Sequence, residues 1–358
     1  MVTSFQAQAW GFAVRFNDVI DPSKLNLYGA GTPAADVVLT GVASGQVKGS
    51  VLVDPDGKGL TFVRTGAQFA ADSYTALMRG AQDGIGNARR GALDGDANGA
   101  AGGNYATSFS VGAAGNQLRL PDFARGPGQA VNLPASGSGM PVTLRSDGTV
   151  RELSFRLVVD VASLNVTEIR RGTDLPADAS LVVTPVANQP GHFEVRISRA
   201  TALPAGTLKL LSLVAEVPAT AALAKAKASV IATQDVRING VQASQAGDAA
   251  IQAVAYLGDL NLDGKYDSTD VALLGRLGTK LDSGLTGLND VDPLISADIH
   301  GNGVLNAIDT ALLTLRTRTA STPVIPAVPV LPPPPAIQTP ASGASCTAGN
   351  ERQEDQPQ

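Results

Sequence analysis

The chain is poor in cysteine and has no long apolar run. Cys346 is the only cysteine among 358 residues, so neither an internal disulfide nor a cysteine metal cage can form. No uninterrupted apolar stretch approaches the ~18 residues of a membrane-spanning helix. The sequence therefore excludes a disulfide-stapled scaffold and predicts no membrane span.

Basic blocks, histidines and aromatic residues are also scarce. The formal net charge is −5, and no cluster of Lys and Arg would attract nucleic acid or an anionic membrane. His192 and His300 are the only histidines, and GxSxG, Walker and zinc-ligand spacings are missing. Trp10 is the only tryptophan and aromatics form 4% of the chain, which disfavours a sugar cleft. We expect a protein without catalytic residues.

The start of the chain does not resemble a secretory signal peptide. MVTSFQAQAWGF has neither a basic segment nor a continuous apolar segment, and a strand pattern begins at Phe12. We expect either export by another route or, in preference, the carboxyl part of a longer product.

Two blocks of alternating apolar residues predict two antiparallel β-sandwiches, at residues 1–113 and 138–247. The first block has expected strands at Phe12–Phe16, Val47–Val53, Leu60–Val63, Tyr74–Met78 and Tyr105–Val111. In the second block the repeating sets are Leu153/Phe155/Leu157/Val159, Phe193/Val195/Ile197 and Leu211/Leu213/Ala215/Val217. The Gly/Pro/Ala/Ser-rich residues 114–137 predict a linker, with room for one strand.

From about Gly258 the apolar period becomes helical. The residues that carry it are Leu273, Leu274 and Leu277, then Leu312, Leu313 and Leu315. This predicts a small all-α domain at residues 250–318. The sequence VIPAVPVLPPPPAIQTP follows, so residues 319–358 are predicted to be an extended Pro-rich segment and a disordered tail.

The stretch DLNLDGKYDSTD has the spacing of a calcium loop. Such a loop takes oxygen ligands from its first, third, fifth, seventh (main-chain), ninth and twelfth residues, with glycine sixth. Those ligand places hold Asp259, Asn261, Asp263, the Lys265 carbonyl, Asp267 and Asp270, and Gly264 is sixth. The alternative is a solvated acidic turn, but a turn needs only two or three such residues.

A second copy, DIHGNGVLNAID, follows further along the chain. The corresponding ligand places hold Asp298, His300, Asn302, the Val304 carbonyl, Asn306 and Asp309. This loop has fewer carboxylates, and imidazole is a poor ligand for a hard cation. We expect a weaker calcium site; the alternative is a tight turn that binds no metal.

Two calcium loops, each followed by a helix and closing on Asp, resemble a type I dockerin. The resemblance implies a domain that folds around two Ca²⁺ ions and docks onto a cohesin. It also implies that the partner is recognised by the pair before each closing aspartate, Ser268-Thr269 and Ala307-Ile308. The two pairs differ in chemistry, which argues against the family's near-symmetric two-way docking.

The two predicted sandwiches carry resemblances of their own. VVDVASLNVTEIRRG, with GHFEVRIS and GTLKLLSLVAEV, resembles a cohesin; a carbohydrate-binding sandwich and an unassigned immunoglobulin-like domain remain alternatives. VRFNDVIDPSKL and QDGIGNARRG resemble bacterial SbsA-type immunoglobulin-like domains. There, Asp94, Asp96 and Asn98 begin a calcium-like loop, but Tyr105 stands at its closing place, so a glycine-rich loop is the alternative.

These resemblances imply a multidomain, non-catalytic assembly or adhesion protein, extracellular or on the cell surface. Its calcium-folded dockerin would dock to a cohesin-type domain, on another protein or on its own kind. Extracellular calcium modules bind with dissociation constants of roughly 10⁻⁴ to 10⁻³ M. The alternative is a carbohydrate-binding accessory part of a polysaccharide-degrading system.

Overall fold

A computed structural model describes residues 1–66, 68–87, 89, 91–221, 228–319 and 322–329. Two β-sandwiches are followed by a helical module, here residues 256–319. None of the helices in the described ranges is long and apolar enough to cross a membrane.

The first sandwich consists of two four-stranded antiparallel sheets, ordered β1-β2-β6-β5 and β4-β3-β7-β8. Its strands are β1 Val2–Gln8, β2 Gly11–Phe16, β3 Val37–Gly41, β4 Gly45–Val47, β5 Gly49–Val53, β6 Gly59–Arg64, β7 Asp72–Met78 and β8 Tyr105–Val111. Four of the expected strands are present, but the expected strand Val47–Val53 is divided at Lys48 between β4 and β5, which lie in different sheets. The sequence pattern does not predict β1 and β3. β1 is an edge strand with a register shift between Val2 and Ser4, which hides its alternation.

The second sandwich begins earlier and ends later than its sequence pattern indicates. Its strands are β9 Gln117–Arg119, β10 Phe123–Ala124, β11 Met140–Ser146, β12 Glu152–Val158, β13 Asn165–Arg171, β14 Ser180–Pro185, β15 His192–Ser198, β16 Gly206–Glu216, β17 Ala228–Ile238, β18 Val241–Gln242 and β19 Ala249–Ala253. One sheet runs β10-β19-β17-β12-β15-β14, with β18 paired to β17, and the other runs β13-β16-β11-β9.

The prediction of a linker at residues 114–137 is wrong. β9 pairs with β11 and β10 pairs with β19, so this segment belongs to the second sandwich. Leu118, Phe123 and Val131 are buried in its core. Gly, Pro and Ala mask these apolar residues in the sequence because they break the period that a strand would otherwise show.

The helical module holds α1 Ser268–Gly278, α2 Leu294–Ala297 and α3 Ala307–Arg318. The two longer helices lie where the apolar period predicts them. The module shares a buried core with both sandwiches and therefore packs against them. That core includes Val63 of β6, Ile251 of β19, Leu274 of α1, Leu313 of α3 and Ile325.

Residues 322–329 pack against the body, which corrects the prediction of a disordered tail for this stretch. Ile325 is fully buried, and Gln129 Nε2 donates to the Ala327 carbonyl (2.9 Å). Burial of the Ile325 side chain in the shared core stabilises the packed arrangement of this segment, although its Pro-rich sequence favours an extended chain. The rest of the predicted tail, residues 320–321 and 330–358, lies outside the described residues.

Two aspartates with raised pKa values lie at or near the junction of the two sandwiches. Asp122 accepts hydrogen bonds from Gly66 N (2.7 Å) in the first sandwich and from Ile251 N (2.6 Å) in the second. Asp248 accepts from Leu120 N (2.8 Å). Burial raises the pKa of Asp122 to about 7 and that of Asp248 to about 8. Both carboxyl groups are therefore more easily protonated in the fold than in the unfolded chain.

This gives a pH prediction. A raised acid pKa contributes stability that is fully present below the unfolded value of ~3.9 and is lost as the pH rises toward 8. We expect the free energy of unfolding, measured with urea, to fall between pH 5 and pH 8. Asp248→Asn should make that fall smaller by about 3–4 kcal/mol, because Asn mimics the protonated acid. Asp235→Asn, at an exposed site of the same sandwich, is the control; parallel pH curves for Asp248→Asn and the wild type would contradict the assignment.

Candidate functional site

The first loop is wrapped around the side chain of its first residue, Asp259. The Asp259 carboxylate is fully buried and accepts from Asp263 N (3.1 Å) and Gly264 N (2.9 Å). Gly264 has φ +79°, a left-handed conformation that glycine adopts without strain. Asp263 Oδ1 in turn accepts from Lys265 N (2.9 Å). Backbone donors thus turn the chain sharply around a buried carboxylate.

The closing residue, Asp270, ties the loop to α1. Its fully buried carboxylate accepts from Leu260 N (2.8 Å) and Asp267 N (3.0 Å). Asp267 accepts from Thr269 N (2.6 Å), so Asp267 and Asp270 form a capping box at the start of α1. The spacing Asp-x-x-Asp before an apolar run predicts this cap, and the calcium-loop spacing does not.

The first loop concentrates negative charge that is not paired in salt bridges. None of the salt bridges among the described residues involves Asp259, Asp263, Asp267 or Asp270. Burial, together with the neighbouring charges of Asp270 and Asp263, raises the pKa of Asp259 to about 6. Burial also raises the pKa of Asp270. A bound cation would offset this repulsion.

The second loop repeats the first at a shift of 39 residues (298 − 259). Asp298 accepts from Asn302 N (3.2 Å) and Gly303 N (2.6 Å). Asp309, fully buried, accepts from His300 N (2.8 Å) and Asn306 N (2.9 Å). Asn306 caps α3 through Ile308 N (2.7 Å), the same capping box as in α1.

The two loops differ in their donor atoms. The second loop has two carboxylates, and the exposed His300 uses its main-chain N–H rather than its imidazole in the loop. The Asn306 amide donates to the Val304 carbonyl (3.2 Å), the proposed main-chain ligand. The second loop is therefore the poorer cage for a cation.

The donor set fits calcium in the first loop. Among the described residues, no three His, Cys, Asp or Glu side chains converge closely enough to form a metal site by themselves. Calcium, however, accepts amide and main-chain oxygens beside carboxylates, and Asn261 and the Lys265 carbonyl would supply them. Asn261 Nδ2 now donates to Asp263 Oδ2 (2.9 Å), so these two side chains already lie together.

A third loop in the first sandwich folds in the same way. Asp94 accepts from Asn98 N (3.1 Å) and Gly99 N (3.1 Å), as the first residue of each calcium-like loop does. Asp96 Oδ2 accepts from Asn98 Nδ2 (3.0 Å). The closing place is Tyr105, the first residue of β8, so this loop lacks the carboxylate that ties the other two.

The predicted recognition pairs lie at the first turn of their helices. Ser268, Thr269, Ala307 and Ile308 are all exposed. Ile308 is 49% exposed and Leu315, further along α3, is 48% exposed.

The matches to known proteins are solved structures, and those described below each cover 39% of the chain. No family model and no curated protein matches it. Among solved structures, a non-cellulosomal cohesin from Archaeoglobus fulgidus is 13% identical, with a TM-score of 0.31, over 39% of this chain and 91% of that one. The seventh ScaB type I cohesin from Pseudobacteroides cellulosolvens is 12% identical, with a TM-score of 0.29, over 39% and 93%. One chain of the Coh-OlpA–Doc918 cohesin–dockerin complex from Clostridium thermocellum is 13% identical, with a TM-score of 0.29. The match covers 39% of this chain and 99% of that one.

One contact near the loops has no signal in the sequence. The guanidinium of Arg316 in α3 lies 4.1 Å from the ring centroid of Tyr266 in the first loop, and Arg316 is buried. This cation–π contact joins the two repeats. It depends on how α1 and α3 pack, which local spacing does not specify.

Proposed function

We propose that the helical module binds calcium, strongly in the first loop and weakly in the second, and that it is a dockerin-like interaction module. The observation that carries the proposal is the first loop, in which the buried Asp259 and Asp270 lie beside further carboxylates and none of the four loop aspartates forms a salt bridge with a described residue. Calcium would neutralise this charge and hold the loop closed. Metal binding then stabilises the module directly, because the site is formed only when the module is folded.

The partner surface that we propose is the outer face of α3. Ala307, Ala311, Leu315 and Arg318 lie on one side of this helix, together with the neighbouring Ile308. The matching face of α1 is more polar, and its Arg276 is paired with Asp282 (Nε–Oδ2, 2.6 Å). The α3 face is more apolar than the α1 face, and the α1 face carries an arginine that is already engaged in an ion pair. This difference supports docking through the second repeat in one orientation.

We expect Ile308→Glu to weaken docking by about tenfold or more, because it would bury a charge in the interface. Thr269→Glu, at the same place in the first repeat, is the matched control and should have a much smaller effect. Both variants should bind calcium as the wild type does. Equal losses in calorimetric titrations against a cohesin domain would show two-way docking instead.

On this basis the chain is a non-catalytic assembly or adhesion protein of the cell exterior. The partner is a cohesin-type domain, supplied by another protein or by the second sandwich of another copy. Analytical ultracentrifugation of the full chain in calcium and in EGTA tests self-assembly, which should appear only with calcium. Calorimetry with calcium alone tests the metal sites, and the absence of any binding heat would sink the whole proposal.

The arrangement of the aromatic rings gives no support to the sugar-binding alternative. Several rings of the first sandwich stack inside its core; for example, Phe12 and Phe62 lie 5.1 Å apart and Phe5 and Phe12 lie 5.0 Å apart. Rings used in this way are not flat exposed platforms for sugar rings.

A further inference from the structure

The connector between the two repeats, residues 279–293, is bonded to the first sandwich. The main-chain hydrogen bonds run from Tyr28 N to Asn289 O (2.8 Å), from Val51 N to Asp290 O (2.8 Å) and from Gly284 N to Gly29 O (2.9 Å). β5, which contains Val51, is the edge strand of its sheet. The connector therefore covers an edge that would otherwise be open.

Gly284 and Asp282 set how closely the connector approaches. A Cβ at residue 284 would overlap Tyr28 Cβ and lie 2.9 Å from Gly29 N, so only glycine fits. Asp282 accepts from Gly31 N (2.6 Å) with one oxygen and pairs with Arg276 of α1 through both. One carboxylate thus links the first sandwich to the first calcium repeat.

The same interface is apolar in its interior. Val63 of β6 is fully buried on the outer face of its sheet, away from the core of the first sandwich, and packs in the shared core. Leu285 and Leu288 of the connector are buried in that core as well. Burial of such apolar side chains favours association, so this contact stabilises the position of the connector.

The conformation of the connector depends on the calcium-like loops. It leaves from α1, whose cap is the first loop, and it leads through α2 into Asp298 of the second loop. Leu262 of the first loop also packs against it: a Cβ at Gly287 would lie 3.3 Å from Leu262 Cδ1. A loop opened by repulsion among its carboxylates would displace Leu262 and both ends of the connector.

We propose that calcium in these loops fastens the first β-sandwich to the rest of the protein. The inference rests on the calcium binding proposed above and adds a second role for it, inside the chain. Without calcium, the connector releases the edge of β5. Among the described residues, the hydrogen bonds that join the two sandwiches directly include Gln68 Nε2 to Leu118 O (3.0 Å) and Gly66 N to Asp122 (2.7 Å).

Small-angle X-ray scattering of the full chain tests this fastening. In calcium the radius of gyration should be near the ~21 Å of a compact chain of this length, and excess EGTA should raise it. Calorimetry on the same sample reports calcium binding separately. Calcium binding with an unchanged radius of gyration would overturn the fastening alone, whereas no binding at all would overturn the proposed function with it.

A variant in the connector distinguishes the role of the connector from calcium binding. Gly284→Val lies outside both loops and should increase the radius of gyration even in calcium, while calorimetry still shows the wild-type number of calcium ions. Gly275→Ala is the matched control, because a Cβ there meets no atom within 4 Å, and it should scatter as the wild type does. A wild-type radius of gyration for Gly284→Val would contradict the role of the connector.

Discussion

Removal of calcium by EGTA is expected to lower the melting temperature of the full chain by about 5 °C relative to 10 mM calcium. A site with a dissociation constant near 10⁻⁴ M would be occupied at about 100-fold excess, which stabilises the folded state by about 2.7 kcal/mol. For a body of this size each kcal/mol is worth ~2 °C. The physical cause is the repulsion among Asp259, Asp263 and Asp270, which calcium neutralises.

Magnesium is the control for that experiment. It demands a tighter octahedral shell and gives up its waters reluctantly, so 10 mM magnesium should restore little of the lost melting temperature. Differential scanning calorimetry gives both values on one preparation. The same melting temperature in calcium and in EGTA would argue against a resident ion in either loop.

Replacement of Asp270 by Asn is expected to abolish the first calcium site and to destabilise the module even without calcium. Asp270 accepts main-chain N–H groups with both carboxylate oxygens. The side-chain NH2 of Asn would face one of these main-chain N–H groups. That N–H group would then lack an acceptor, at a cost of about 1–3 kcal/mol. We expect calcium calorimetry to lose its tighter binding event, and urea unfolding in EGTA to show the lower stability.

Asp267→Asn is the matched control for Asp270→Asn. The second loop carries Asn306 at the corresponding place, and Asn306 makes the same cap bond to Ile308 N (2.7 Å). The helix cap should therefore survive, and the calcium affinity should fall by only about tenfold through the loss of one charge. If Asp267→Asn and Asp270→Asn behave alike, Asp270 has no special role in closing the loop.

The candidate site was largely predictable because its parts are close in sequence. Twelve residues contain every proposed ligand of a loop, and the helix follows at once. The spacing alone therefore located the sharp turn at Gly264 and the start of α1. The Asp-x-x-Asp spacing also signals the helix cap formed by Asp267 and Asp270, but nothing in the spacing indicates that His300 takes part through its main chain.

The sequence by itself determined the local elements: the strands with clear alternation, the two longer helices and the duplicated loops. The tertiary structure alone decided that residues 114–137 are part of a sandwich, that Ile325 is buried, and that the connector covers the edge of β5. These features depend on which distant apolar side chain or unpaired strand edge a segment meets. No local period encodes such a meeting, since its free energy comes from surfaces brought together only when the chain has folded.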